Sequence, residues 1–173
     1  LSKVRDASTS EETYMDVIRG KTAMLFEASS HSAAVLAGAD AEQAEALRVF
    51  GDHLGVAFQL MDDLLDYRGD AQAMGKNVGD DLAEGKPTLP LIHAMREGTP
   101  AQAELVRKAI QQGGSQDLES IRAAVEAAGS LDYTAQLARH YAEKAIQCLS
   151  TLPASTYRDA LTELTRFAVA RSI

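Results

Sequence analysis

Residues 41–67 read AEQAEALRVFGDHLGVAFQLMDDLLDY, without a proline and with apolar positions recurring at three and four. That recurrence is the period of an α-helix. Asp40, just ahead of it, is a good N-cap residue. At about 1.5 Å per residue the predicted helix is about 40 Å long, a length that suits a large helical assembly. Upstream, Ser8-x-x-Glu11 and Thr9-x-x-Glu12 are two candidate capping boxes for another long helix, reaching about Leu36 and ending near Gly38. Downstream, shorter helices are expected over Pro87 to Arg96, Pro100 to Gln112, Gln116 to Ala128, Leu131 to Leu152 and Ala154 to Arg171. Between them lies a polar, glycine-rich stretch from Arg68 to Lys86, longer than an ordinary connection and of the kind that is usually functional or disordered. No segment reads as a strand. The expectation is an all-α, antiparallel, single-domain assembly of long helices.

Composition narrows the function. Charged residues make up 24% and hydrophobic residues 46% of the 173, which is globular rather than disordered. Asp and Glu outnumber Lys and Arg by 25 to 17, a net charge of −8 that argues against a phosphate-neutralising nucleic-acid surface. The lone Cys148 excludes an internal disulfide and favours a reducing compartment. No apolar run approaches the ~20 residues that span a bilayer. The expected location is cytoplasmic.

The densest chemical signal is Phe58-Gln59-Leu60-Met61-Asp62-Asp63-Leu64-Leu65-Asp66-Tyr67. At about 100° per residue, Asp66 falls about 40°, Gln59 about 60° and Asp63 about 100° from Asp62. Gly55 and Gly51 continue the same face backwards and are expected to leave room there for something bulky. Carboxylates this close repel unless a cation lies between them. An all-oxygen set selects a hard ion, Mg²⁺ foremost, completed by water and substrate phosphates. A solvated acidic face is the plainer explanation. However, the flanking Leu60-Met61 and Leu64-Leu65 imply a buried helix, where incidental carboxylates are costly.

Two lysine regions accompany the aspartates. Gly20-Lys21-Thr22 lies in mid-helix, and a P-loop would need glycine where Met15 stands, so Lys21 and Thr22 are candidate phosphate contacts of another kind. Lys76 and Lys86 flank the glycines of the 68–86 stretch and could close over a charged ligand. His31, His53, His93 and His140 have no zinc-site spacing. No nucleophile motif is present.

Lys21-Thr22, then Phe58-Gln59-x-x-Asp62-Asp63-x-x-Asp66, then Gly75-Lys76-x-x-Gly79-Asp80-Asp81-x-x-Glu84-Gly85-Lys86-Pro87-Thr88-Leu89-Pro90 resembles the C-terminal half of trans-isoprenyl diphosphate synthases, most closely bacterial octaprenyl or other long-chain enzymes. The resemblance covers essentially the whole chain. It implies an all-α barrel of long helices, a homodimer, and two facing aspartate-rich motifs. Asp62, Asp63 and Asp66 would be the second of these, holding Mg²⁺. Lys21, Thr22, Gln59 and Lys76 would contact the allylic diphosphate, with Lys86 assisting. The family reaction ionises the allylic C–O bond; the carbocation alkylates isopentenyl diphosphate, a proton is lost, and the cycle repeats. Expected partners are therefore the allylic diphosphate and isopentenyl diphosphate, with peripheral membrane contact for product release and quinone side chains as the destination.

The family's first aspartate-rich motif and isopentenyl diphosphate site have no counterpart here, so the 173 residues are expected to be the C-terminal part of one synthase domain, inactive alone. The alternative is a noncatalytic helical subunit that partners a complete synthase. The retained charge cluster, which a structural subunit would not need, argues against it.

Overall fold

The chain enters its first helix at Ser10, whose Oγ accepts the Thr13 amide at 3.1 Å. Neither predicted capping box forms. Asp6 instead takes the Ser8 amide at 3.0 Å, and the Thr9 hydroxyl donates to the Asp6 carbonyl at 2.8 Å. The Ser8 hydroxyl also donates to Asp6 Oδ1, at 2.5 Å, so both hydroxyls are used by the turn ahead of the helix, which leaves Ser10 as the cap. The computed structural model describes residues 3–68, 79–113 and 117–170.

Among the described residues every regular element is helical: α1 (Glu11–Ile18), a π-turn (Arg19–Ala23), α2 (Met24–Leu36), α3 (Ala41–Arg68), α4 (Asp80–Ala83), α5 (Leu89–Glu97), α6 (Pro100–Gln112), α7 (Leu118–Ala127), α8 (Ser130–Cys148), a 3₁₀ turn (Leu149–Thr151) and α9 (Thr156–Ala170). The first long helix is thus interrupted by a π-turn that its sequence pattern does not announce. α2 ends where Gly38 adopts φ +73° and the Ala39 amide reaches back to the Ala34 carbonyl at 3.1 Å, a Schellman-type stop. Asp40 caps α3 as expected, accepting the Gln43 amide at 2.8 Å. α5 starts after Thr88 rather than at Pro87, with Pro90 in its first turn. α6 carries a full capping box between Thr99 and Gln102. Part of the predicted 68–86 loop is helical, as α4, while residues 69–78 lie outside the described residues.

Contacts divide the chain into two compact units, Leu1–Asp16 with Asp62–Ala135, and Val17–Met61 with Gln136–Ile173. In the first, α5, α6 and α7 pack on one another around buried Leu89, Leu91, Val106, Ile110, Ile121 and Val125. Burying each of these side chains contributes about 1.5–3 kcal/mol. Glu11 ties α1 to this unit, accepting Arg96 Nη1 at 2.8 Å and the Tyr133 hydroxyl at 2.6 Å. His93 stacks on Tyr133 with ring centroids 4.2 Å apart and meets Ser130 Oγ through Nδ1 at 3.0 Å.

The second unit has its core at Phe50, Leu54, Ala145, Leu149 and Ala168, with Phe26, Leu47 and Cys148 packed against it. Gly51 and Gly55 correct an expectation. A Cβ on Gly51 would stand 2.7 Å from Glu27 Cα, and one on Gly55 would stand 2.5 Å from Ala23 Cα. The space left by the missing side chains is filled by the backbone of the neighbouring helix. It is a close helix crossing, and it offers no room for a ligand.

Candidate functional site

α3 carries Gln59, Asp62, Asp63 and Asp66 at its C-terminal end, and the uninterrupted helical period fixes their order around the axis. The three carboxylates have different surroundings. Asp63 is buried at 4% exposure, and its Oδ2 accepts the hydroxyl of Tyr14 at 2.6 Å. Tyr14 is itself buried, and burial first, then the Asp63 charge, pushes its hydroxyl well above its usual range, so it remains a donor. Asp62 and Asp66 are partly exposed.

Asp66 is held from the other side. Its Oδ1 accepts the Asp80 amide at 3.2 Å and its Oδ2 the Asp81 amide at 3.1 Å, while its carbonyl accepts the Gly79 amide at 3.0 Å. The carboxylate thus meets the first two amides of α4, where unpaired helix donors favour negative charge. Gly79 adopts φ +87°, the left-handed conformation that glycine takes without a Cβ penalty. Burial, and next the nearby Asp81 carboxylate, push the Asp66 carboxyl up to about 6, against the pull of the Asp81, Asp80 and Gly79 amides.

Lys86 reaches Glu84 Oε2 at 2.7 Å and Asp81 Oδ1 at 3.1 Å. The hydrogen bonds to Glu84 and then Asp81 raise its pKa above the ordinary lysine range, with burial opposing, so it stays a cation. In the second unit, the Thr22 hydroxyl donates to Gln59 Oε1 at 2.7 Å, and Lys21 beside it is exposed on the π-turn. Lys76 lies outside the described residues.

Of the residues singled out from the sequence, the structure joins Thr22 to Gln59 directly and joins Asp66 and Lys86 through Asp81. Among the described residues no three potential ligands converge on one ion position. Two of the three carboxylates are engaged elsewhere: Asp63 accepts the Tyr14 hydroxyl and Asp66 accepts the α4 amides. The oxygens nonetheless suit Mg²⁺, which is usually held by one or two carboxylates with water and phosphate oxygens completing its shell. Two contributors escaped the sequence reading. Tyr14 reads as an apolar helix position, and Asp81 reads as loop. The adjacent Asp80-Asp81 pair was the available signal for the second.

The sequence profile described as polyprenyl synthetase matches residues 1–128. The chain is 52% identical over 172 residues to octaprenyl diphosphate synthase of Escherichia coli, and 50% identical over 173 residues to that of Haemophilus influenzae. Each alignment takes in 99% of this chain and 53% of the relative, so the chain spans about half the length of the curated relatives it matches. A crystal structure of a polyprenyl synthase from Caulobacter crescentus, complexed with calcium and isoprenyl diphosphate, is similar at TM-score 0.92 and 44% identity over 99% of this chain and 53% of its own. A decaprenyl diphosphate synthase from Rhodobacter capsulatus is similar at TM-score 0.90 and 37% identity, over 98% and 53%. On the family profile, these identities and the shared fold, the chain belongs to the polyprenyl synthetase family.

Proposed function

We propose that this chain is the C-terminal part of one long-chain polyprenyl diphosphate synthase domain and supplies its second aspartate-rich site. The reaction is condensation of an allylic diphosphate with isopentenyl diphosphate, repeated to a long all-trans product, with octaprenyl the preferred length. The observation that carries this reading is the identity of about half the residues to octaprenyl diphosphate synthases across 99% of the chain. The motif residues of α3 fall within that span.

Asp62 and Asp66 are the oxygen ligands offered to Mg²⁺, and Asp63 is the buried carboxylate that fixes this end of α3 through Tyr14. Mg²⁺ held by Asp62 and Asp66 would supply positive charge to offset the negative charge of the departing diphosphate. Lys21, exposed on the π-turn, supplies positive charge toward the leaving diphosphate. Thr22 and Gln59 orient each other through their hydrogen bond. Lys76 and Lys86 add charge from the glycine-rich stretch, Lys86 from a position set by Asp81 and Glu84. The condensation proceeds through a carbocation and needs no protein nucleophile. Asp62 and Asp66 serve as metal ligands only, and the diphosphate leaves as charge develops on it. Homodimer assembly and a cytoplasmic location belong to the same proposal. Among the described residues no helix is long and apolar enough to cross a membrane.

Thermal unfolding with an allylic diphosphate tests the reading. The midpoint rises with ligand concentration only when Mg²⁺ is present, because a ligand that binds the folded state alone stabilises it by an amount that grows with the logarithm of its concentration above Kd. A midpoint unmoved by the ligand at millimolar Mg²⁺ contradicts it and favours a noncatalytic helical subunit.

A further inference from the structure

Through α1, the π-turn and α2, the buried positions step by four from Tyr14 to Ile18 and by five from Ile18 to Ala23. A regular α-helix would put residue 22 in that buried stripe. The extra residue of the π-turn gives the place to Ala23, which is wholly buried, and shifts Thr22 sideways onto Gln59. The Met24 amide closes the turn on the Arg19 carbonyl.

Ala23 fits there because Gly55 has no side chain: a Cβ would stand 2.5 Å from its Cα. One turn earlier on α3, Gly51 admits the backbone of Phe26 and Glu27 in the same way. These contacts are with main chain, which cannot swing aside as a side-chain tip can. Arg19, at the start of the turn, donates from Nη2 to the Tyr141 hydroxyl at 3.1 Å and lies 3.9 Å from the Asp52 carboxylate. By contrast, a Cβ on Gly20 inside the turn would meet nothing within 4 Å.

We infer that Gly51 and Gly55 are positioning residues: they seat the π-turn against α3 and so set the directions of Lys21 and Thr22. The inference rests on the functional reading above, in which those two residues serve the diphosphate. π-turns inserted in α-helices are frequent at functional sites because they re-aim side chains without ending the helix. Here the re-aiming depends on two positions that make no ligand contact themselves.

Calorimetric titration of the 173-residue chain with inorganic pyrophosphate in Mg²⁺ tests this, with circular dichroism and a thermal scan on every variant. Gly55→Ala is expected to keep the helical spectrum and a cooperative transition. Its pyrophosphate affinity falls roughly tenfold or more, the loss expected for one charge-assisted hydrogen bond. Binding of Mg²⁺ alone stays as in the parent, a split that general destabilisation would not produce. Tyr141→Phe loosens the Arg19 anchor without adding bulk; it lowers pyrophosphate affinity in the same direction and keeps the test open if Gly55→Ala does not fold. Parent-like pyrophosphate affinity in a folded Gly55→Ala, or in Tyr141→Phe where Gly55→Ala is unfolded, overturns the positioning role alone. Absence of binding by the parent overturns the functional reading and the positioning role with it.

Discussion

The hydroxyl of Tyr14 donates to the buried Asp63 carboxylate from 2.6 Å away. Tyr14→Phe removes that donor and leaves the ring in place, and it is expected to lower unfolding stability by about 1–3 kcal/mol, read from urea denaturation. His93 makes the pH prediction. Burial, and next the Arg96 charge, hold its pKa below the usual histidine range. The folded state therefore binds fewer protons here than the unfolded chain. The stabilisation is complete above the unfolded value of about 6.5 and shrinks as pH falls through and below it. Asp66, pushed up to about 6, acts with the opposite sign, because its raised carboxyl favours the folded state at low pH. The measurement is therefore a difference: the stability gap between the parent and His93→Gln narrows from pH 7.5 to pH 5.5. A gap constant with pH contradicts the assignment.

Helix boundaries carry the next prediction. Ser10→Ala is expected to cost about 1 kcal/mol, the usual loss of an N-cap. Glu12→Ala, which removes the carboxylate of an unformed capping box, stays within about 0.5 kcal/mol of the parent. Chemical denaturation of the two variants separates the observed start of α1 from the predicted ones. Three adjacent hydroxyls, Ser8, Thr9 and Ser10, could each cap, and the choice falls to Asp6, which engages the first two. That competition is not visible in a capping pattern. α3 was legible nearly to its ends because one unbroken period and one cap specify it. The π-turn was not, since Arg19-Gly20-Lys21-Thr22 has no apolar residue to reveal a five-residue step. The acidic face of the site was legible from helical spacing alone. The division of labour within it was not, because Asp63 is claimed by a tyrosine 49 residues away. For the same reason Gly51 and Gly55 read as open space, although the helix that fills them is distant in sequence.

Over the whole molecule, two compact units share α3, which passes from one to the other at Met61 and Asp62. The chain contains one aspartate-rich cluster at helical spacing, and condensation in this family is expected to require two. The isolated 173 residues are therefore expected to show no Mg²⁺-dependent condensation of an allylic diphosphate with isopentenyl diphosphate. A radiochemical product assay checks this, and measurable turnover contradicts it. What the chain retains on this account is a metal-dependent grip on the diphosphate. The measurement that bears on it most directly is titration of the isolated chain and its Asp62→Ala variant with inorganic pyrophosphate, each with and without Mg²⁺. The account predicts binding by the parent only with Mg²⁺ and its loss in Asp62→Ala with the fold unchanged. Binding that is indifferent to Mg²⁺, or that survives the loss of Asp62, would contradict it.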